Sequence, residues 1–514
     1  MSRNYDAIIL GASLNGLVSA LRLAKVGRSV CVLEEQAEAG AHLQTRELMP
    51  GFQFNVGALD AGLIESEILS KFGLDDQLEK LAPPVEVFAP QLDGRKLVFW
   101  RDAKKRAESL SAFSASDSAH FADWCRQMHL FSQQLEKMAR LAPPSLQYAP
   151  RGLLLNWVRM ALSLRRLGGV QMMEFLRVLP MGMKRLLDEH FENDQLKGVL
   201  TVASMRNLLQ GPRAAGTAFN YLYHLMGSQN SIYASTKRFR GGNQSLIHAL
   251  VKACKSFGVD FHYGVEKPRL RIENYRASGV DFSEAEYLSG RVVISGVEAR
   301  RSFFDYVGPG KLNPSLIRSL RAYKLKGSTA LVHMGLDALP EFIGNPSIEE
   351  LSGRIVISPS PDYSDQAYDQ AKYGKISSQP VLEMMIPSLL DPSLAPSGKH
   401  TFSILYRFAP YQLRSGDWQA GKQEVFENTL KVLETYAPGM RDLVLDHVVI
   451  SPEDLERDYG LTEGSLSEGQ MSLDQLLLMR PVPGFRGYQS PIDGYYLCGA
   501  STHPGGGNSV LPGW

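Results

Sequence analysis

Apolar and polar positions along the chain predict a strand first. Apart from Asp6, residues 5–10 (YDAIIL) form an apolar run, the pattern of a strand buried on both faces of a parallel sheet. Gly11 ends it. Leu17, Ala20, Leu21 and Ala24 then recur at helical spacing, and residues 29–33 return as a second strand closed by Glu34 and Glu35. Phe52 and Phe54 alternate within PGFQFNVGA (50–58), residues 65–72 have helical spacing, and 85–100 read as strands around an Asp93-Gly94 turn. Residues 115–140 place aromatic and Leu positions on one helical face, and 244–257 form a helix entered through Arg240-Gly241-Gly242-Asn243. Residues 259–294 break into short strands, the last running out into Ser295-Gly296 near a ligand. Strands recur over 324–336 and 399–408, a helix over 419–436, and a strand over 495–498 ahead of a second glycine turn.

The first unit carries chemistry. Amides that open a helix have no intrahelical acceptor, and with the positive end of the helix dipole they hold a pyrophosphate. Gly11, Ala12, Ser13, Asn15 and Gly16 make that turn. Glu34 follows about 20 residues later, where a carboxylate accepts hydrogen bonds from a ribose diol. The motif is GxSxxG rather than GxGxxG: Ser13 stands where backbone and phosphate come closest, and its hydroxyl can donate to phosphate. A purely structural strand–helix–strand unit is the alternative. For Gly40, Gly57 and Gly242 the alternative is ordinary turn geometry.

Composition narrows the classes. The chain has 514 residues, is 44% hydrophobic and carries a net charge of +1. That supports two or three cores and gives no field for nucleic acid. Cys31, Cys125, Cys254 and Cys498 lie far apart with no CxxC pair. They offer neither a metal site nor a disulfide framework and suit a reduced, cytoplasmic setting. No signal peptide is expected, and no apolar stretch is long enough to span a bilayer. Residues 151–190 are rich in Leu, Met and Trp, and Arg151, Arg159, Arg165, Arg166, Arg177, Lys184 and Arg185 face only Glu174 before Asp188 and Glu189. Such a segment suits the surface of an anionic membrane; the alternative packs its apolar face inward and solvates its arginines.

Six blocks together carry a resemblance: YDAIILGASLNGL at the start, PGFQFNVGA at 50–58, RGGNQSLIHAL at 240–250, VVISGVEARRSFFDYVG at 292–308, MSLDQLLLMRPVPG at 471–484 and YYLCGASTHPGGG at 495–507. The chain resembles the phytoene dehydrogenase-related FAD-dependent oxidoreductases, the group of carotenoid desaturases and isomerases, and within it the branch of the pyridine nucleotide-disulphide oxidoreductase domain-containing proteins. The resemblance implies an α/β fold. A discontinuous Rossmann-like FAD-binding domain of p-hydroxybenzoate-hydroxylase type would take residues 1–75, 231–300 and 465–514. A mixed-sheet substrate domain would take 76–114 and 301–464, and a helical, membrane-facing subdomain 115–230. It implies FAD as cofactor, with Gly11 to Gly16 on the pyrophosphate, Glu34 and the adjoining Glu35 at the adenosine ribose, and Gly40, Ala41, His42 and Leu43 beside the ribityl chain and isoalloxazine. The backbone around Lys267 would meet the adenine, while Gly499, Ala500, Gly505, Gly506, Gly507 and Asn508 would border the flavin. Three departures stand out. Ala41 replaces the second glycine of the usual pair, and Glu468 sits where relatives often have His. The sequence stops at Trp514, where relatives continue into a helix pointing at the flavin, which bears on FAD retention.

A flavin takes hydride at N5, and the protein supplies orientation and a dry pocket. A second GxGxxG unit and a redox cysteine pair are both lacking, so electrons are expected to leave to oxygen or a quinone rather than come from NADPH. His503, in the THPGG block, is the side chain expected nearest the ring, with bracing of a turn as the alternative; His42 is the second candidate. Three functions compete. The first is desaturation or isomerisation of an apolar isoprenoid- or lipid-like substrate entering from a membrane face. The second is amine oxidation of a polar substrate on the same architecture. The third is non-enzymatic lipid or prenyl binding, as in Rab GDP-dissociation inhibitors.

Overall fold

The N-terminal apolar run lies at the centre of a sheet, with Ala7 to Leu10 buried on both faces. The structure is a computed structural model that describes residues 4–142, 151–228, 231–234, 237–282, 286–483, 485, 487–506 and 508–514. In it β1 (Asn4–Leu10) pairs in parallel with β2 (Val30–Leu33) on one side and with Tyr287–Ser295 on the other. Asp260–His262 extends the sheet beyond β2 and Tyr495–Leu497 adds beside Tyr287–Ser295, both in parallel. Arg269–Glu273 and Arg276–Asp281 complete seven strands as an antiparallel flank. Three distant stretches of sequence thus build one α/β sheet, and their C-terminal ends gather on the edge where ligands bind in such folds.

Gly11 leaves β1 with φ +90°, and helix α1 (Leu14–Lys25) begins at the N-cap Ser13. Gly16 is dictated by space, since a Cβ there would lie 2.2 Å from the Gly11 carbonyl oxygen. Leu17, Leu21 and Ala24 of α1 join the main core. The last residues clamp the outer side of α1. Ser19 donates to the Gly513 carbonyl at 2.9 Å, the Gly513 amide donates to Asn15 Oδ1 at 3.1 Å, and the Arg22 guanidinium lies over the Trp514 ring.

The second sheet also has seven strands, in the order Val444–Ile450, Thr329–Leu336, His400–Arg407, Val381–Met385, Arg354–Ile357, Val85–Pro90 and Lys96–Trp100. It is mixed, with one parallel pair between Arg354–Ile357 and Val85–Pro90. Helix Trp418–Tyr436 covers one face through Val425, Phe426, Leu430 and Leu433. The other face turns Val87, Ala89, Val381 and Phe408 into the core shared with the first sheet. Three of these strands, Arg354–Ile357, Val381–Met385 and Val444–Ile450, escape the sequence pattern. The first two are short and wholly buried, so alternation never shows. Between the sheets in sequence come the helices Ala115–Ala139, Arg151–Arg165, Gly169–Val178, Met183–Asp188, Asp194–Ser204 and Thr217–His224. None of the described helices is long and apolar enough to cross a membrane.

Candidate functional site

A cleft of ≈ 480 Å³ opens at the C-terminal ends of β1, β2 and Tyr287–Ser295. Gly11, Ser13, Asn15, Glu34, Glu35 and Gly296 form one wall. Gly40, Ala41, His42, Leu43, Ala500 and Asn508 form another, so the predicted turns do come together. Leu14 and Asn15 open α1 toward this space, and first-turn amides have no acceptor within the helix.

Glu34 lines the cleft with its carboxylate fixed: Oε2 accepts from the Ala12 amide at 2.5 Å and Oε1 from the Gln36 amide at 2.8 Å. Burial raises its pKa, and these two bonds oppose the rise. Ser13 departs from the expectation. Its hydroxyl donates to the Gly296 carbonyl at 2.7 Å and accepts from the Gly16 amide at 3.3 Å, so its proton serves the turn rather than a phosphate. Glu35 is also committed elsewhere, to Arg301 Nη2 at 2.5 Å and to the Tyr306 hydroxyl, which donates at 3.1 Å.

Gly40 and Ala41 both adopt positive φ, +107° and +47°. Gly57 sits so close to His42 that a Cβ would approach the His42 Cβ at 2.5 Å. His42 Nε2 lies 3.1 Å from Asn508 Oδ1. With that oxygen as acceptor, Nε2 carries the proton, and Nδ1 is a buried acceptor without a partner among the described residues. Burial lowers the His42 pKa and keeps the ring neutral.

His503 lies elsewhere. It is buried, and its Nε2 meets the Ala139 carbonyl at 3.0 Å. It lines neither this cleft nor the cavity described below. Burial drives its pKa down to about 4. Bracing is the role this placement gives it. Lys267 is exposed in the loop before Arg269 and does not line the cleft; its neighbour Val265 donates its amide to the Glu34 carbonyl at 3.0 Å. Ser295 is buried against Ser302 beneath the cleft floor. Gly499 backs onto the Val297 carbonyl and Gly506 onto Ser467, while Gly505 packs on Met471. Gly507 lies outside the described residues.

Two acidic groups in the cleft wall, Glu298 and Glu468, were not assigned a site role from the sequence. Glu298 caps its short helix by accepting from the Arg300 and Arg301 amides. Glu468, at a positive φ of +51°, accepts from the Ser501 amide at 3.1 Å. Burial, then the nearby Glu298 charge, push the Glu468 carboxyl up to about 7.

A second, inner cavity of ≈ 70 Å³ shares His42, Leu466 and Asn508 with the cleft and continues it toward the second sheet. Five charged side chains line it: Asp60, Arg206, Arg354, Glu383 and Arg407. Sheet register gathers them. Arg407 stands opposite Val381, and Glu383 opposite Val356, so Arg354, Glu383 and Arg407 share one face. Glu383 meets all three guanidiniums, with Arg354 Nη1 and Arg407 Nη2 each at 2.5 Å, and Arg354 also pairs with Asp60. Burial pushes the Glu383 carboxyl up, yet the three arginines hold it far below the usual range.

Known proteins similar to this chain give its broad class. Residues 9–59 match the family described as NAD(P)-binding Rossmann-like domain. The chain is 29% identical to the pyridine nucleotide-disulfide oxidoreductase domain-containing protein 2 of Rattus norvegicus, over 98% of this chain and 91% of the other. It is 23% identical to a phytoene desaturase (neurosporene-forming) of Cereibacter sphaeroides, over 98% and 91%. Its homologues thus include the domain-containing protein 2 and phytoene desaturases. An oxidoreductase structure from Methanosarcina mazei superposes with a TM-score of 0.61 at 15% identity, covering 99% of this chain and 98% of that one, and so shares the fold. The chain is accordingly an oxidoreductase of the FAD/NAD(P)-binding superfamily, and its cofactor is FAD. The cleft fits that group: open first-turn amides suit a pyrophosphate, and Glu34, fixed in the cleft wall, suits a ribose.

Proposed function

We propose that this chain uses FAD to take hydride from carbon in an isoprenoid- or lipid-like substrate, or to isomerise one, and passes the electrons to oxygen or a quinone. The observation that carries this reading is that the dinucleotide cleft and the inner cavity share His42, Leu466 and Asn508 in their walls. FAD, when bound, supplies the electron sink. The chain's own residues do the rest. Glu34 orients the ribose, and the start of α1 faces the pyrophosphate. Leu59, Leu63, Leu405 and Leu466 exclude water from the inner cavity. In a desaturation one carbon loses hydride and its neighbour loses a proton; His42 Nδ1, the bare acceptor at the junction, takes that proton.

Substrate of this kind resides in membranes, and we infer that the protein meets one peripherally. Leu154, Leu155, Val158, Leu162, Val170, Met173 and Leu176 are exposed on two consecutive helices, with Arg159, Arg165 and Arg166 among them. Oxidation of an amine is the weaker reading, because an ammonium would enter a cavity in which guanidiniums outnumber carboxylates. A non-enzymatic role fits poorly with an intact Glu34 site.

The visible spectrum of the purified protein tests the core of the proposal. It should be yellow, bleach anaerobically with a suitable polyene or lipid and not with amines, and recover with oxygen or quinone. A colourless protein that does not take up added FAD overturns it.

A further inference from the structure

We infer that the inner cavity is a carboxylate site, in which Arg206, Arg407 and His224 anchor the acid end of an amphipathic substrate. This rests on the reading of the protein as a flavin oxidoreductase of a lipid-like molecule and narrows that substrate to an acid.

The charge balance points first. Arg206, Arg354 and Arg407 face two carboxylates, Glu383 and Asp60, which leaves one positive charge in excess. Arginine cannot shed its charge, so the excess persists at any working pH. Asp60 and Glu383 are themselves spoken for: Asp60 Oδ1 also accepts from the Gly62 amide at 2.9 Å, and Glu383 takes all three arginines.

The donor count points the same way. Arg206 Nε, Arg407 Nε and His224 Nε2 are buried with no hydrogen-bond partner among the described residues, and all three side chains line the same cavity. A buried N–H without an acceptor is costly, and a buried uncompensated charge more so. An ion cluster that only braced a sheet would be expected to close its donors and balance its charge; this one does neither, and its three arginines line a cavity. His224 stays neutral, since burial and then Arg206 and Arg407 keep its pKa well below the ordinary value. In the tautomer that carries the proton on Nε2, it donates without adding charge.

The occupant follows from this balance. One excess positive charge matches a monoanion, and guanidinium N–H groups match the planar carboxylate fork better than a neutral hydroxyl. A phosphate dianion would overshoot the charge. The apolar part of the ligand meets Leu59, Leu63, Leu405 and Leu466, and the anchored acid lies against the wall shared with the FAD cleft.

Calorimetric titration of the FAD-loaded protein with octanoate, octanol and octylamine decides the matter. Octanoate should bind at least tenfold more tightly than octanol, and octylamine should bind weakest. Arg206→Gln should cost octanoate at least tenfold and leave octanol unchanged, with partial recovery in Arg206→Lys. Equal binding of octanoate and octanol by the parent protein overturns the site, and that comparison needs no variant to fold. The two readings separate cleanly. Octanoate binding by a protein whose flavin no acid or lipid reduces keeps the site and sinks the oxidoreductase proposal. A flavin bleached by a neutral lipid in a protein indifferent to octanoate does the reverse.

Discussion

Two carboxyls in the cleft carry opposite tasks. Glu34 is held by two amides and points its remaining lone pairs into the ligand space, so its charge serves binding. Glu34→Gln should weaken FAD by about 1–3 kcal/mol, roughly fivefold to 150-fold, in a fluorescence titration of the apoprotein; an unchanged Kd would remove the ribose role. Glu468 is a liability when charged. Its carboxyl is pushed up to about 7 from an ordinary 4.5, so the native state favours the protonated form. That contribution is complete below about pH 4.5 and is lost as pH rises through 7. Glu468→Gln should therefore match the parent in thermal stability near pH 4.5 and exceed it above pH 7, by about 3 kcal/mol. FAD brings more negative charge to the same cleft, so its affinity for the parent should fall over the same pH range and stay flat in the variant. A parent and variant that run parallel from pH 4.5 to 8 would show that Glu468 titrates normally.

The first strand, turn and helix show how much an element reveals on its own. Their hydrophobic spacing, the forced Gly16 and the position of Glu34 were all legible, because each follows from local geometry. The direction of the Ser13 hydroxyl was not, since it is set by the Gly296 carbonyl some 283 residues away. This difference is measurable. Ser13→Ala removes an N-cap bond and a tie between two strand ends, which should cost about 1 kcal/mol of stability in urea unfolding. FAD affinity should change by less than about threefold; a loss of tenfold or more would return the hydroxyl to the phosphate. His503 misled for the same reason, because its partner, Ala139, belongs to a helix far away in sequence. The charged cavity left a fainter trace. Arg354, Glu383 and Arg407 are lone charges inside short apolar runs, RIVI, VLEMM and ILYR. A charge in a buried strand demands a partner, and charges of opposite sign on neighbouring strands answer one another. Reading that signal needs the strand order, which the pattern does not contain.

At the scale of the whole molecule the protein combines a charged inner cavity with an exposed apolar helical face, and the pairing fits an amphipathic acid drawn from a bilayer. The exterior face is unusual for a helical region that otherwise buries its large side chains: Val170 is 83% exposed and Met173 61%, while Phe175 and Val178 on the same helix are fully buried. The helix thus has an inner apolar face that packs and an outer one that does not. On the preceding helix Leu155 and Arg159 stand one turn apart, and Arg166 just past its end donates its amide to the Leu162 carbonyl, so apolar and basic groups meet a surface together. Each basic side chain near an anionic leaflet contributes about 1 kcal/mol, within a Debye length of about 8 Å at physiological salt. Replacing Arg159, Arg165 and Arg166 together with Gln should lower co-sedimentation with phosphatidylserine vesicles at least tenfold, and raising the salt concentration should do the same to the parent. Changing Leu155 and Leu162 to Ser should weaken binding to neutral vesicles as well, because that loss is of buried apolar area rather than charge. FAD content should be untouched in both variants, as none of these side chains lines the cleft. Equal sedimentation of parent and both variants would leave this face without a membrane role and leave the flavin chemistry standing.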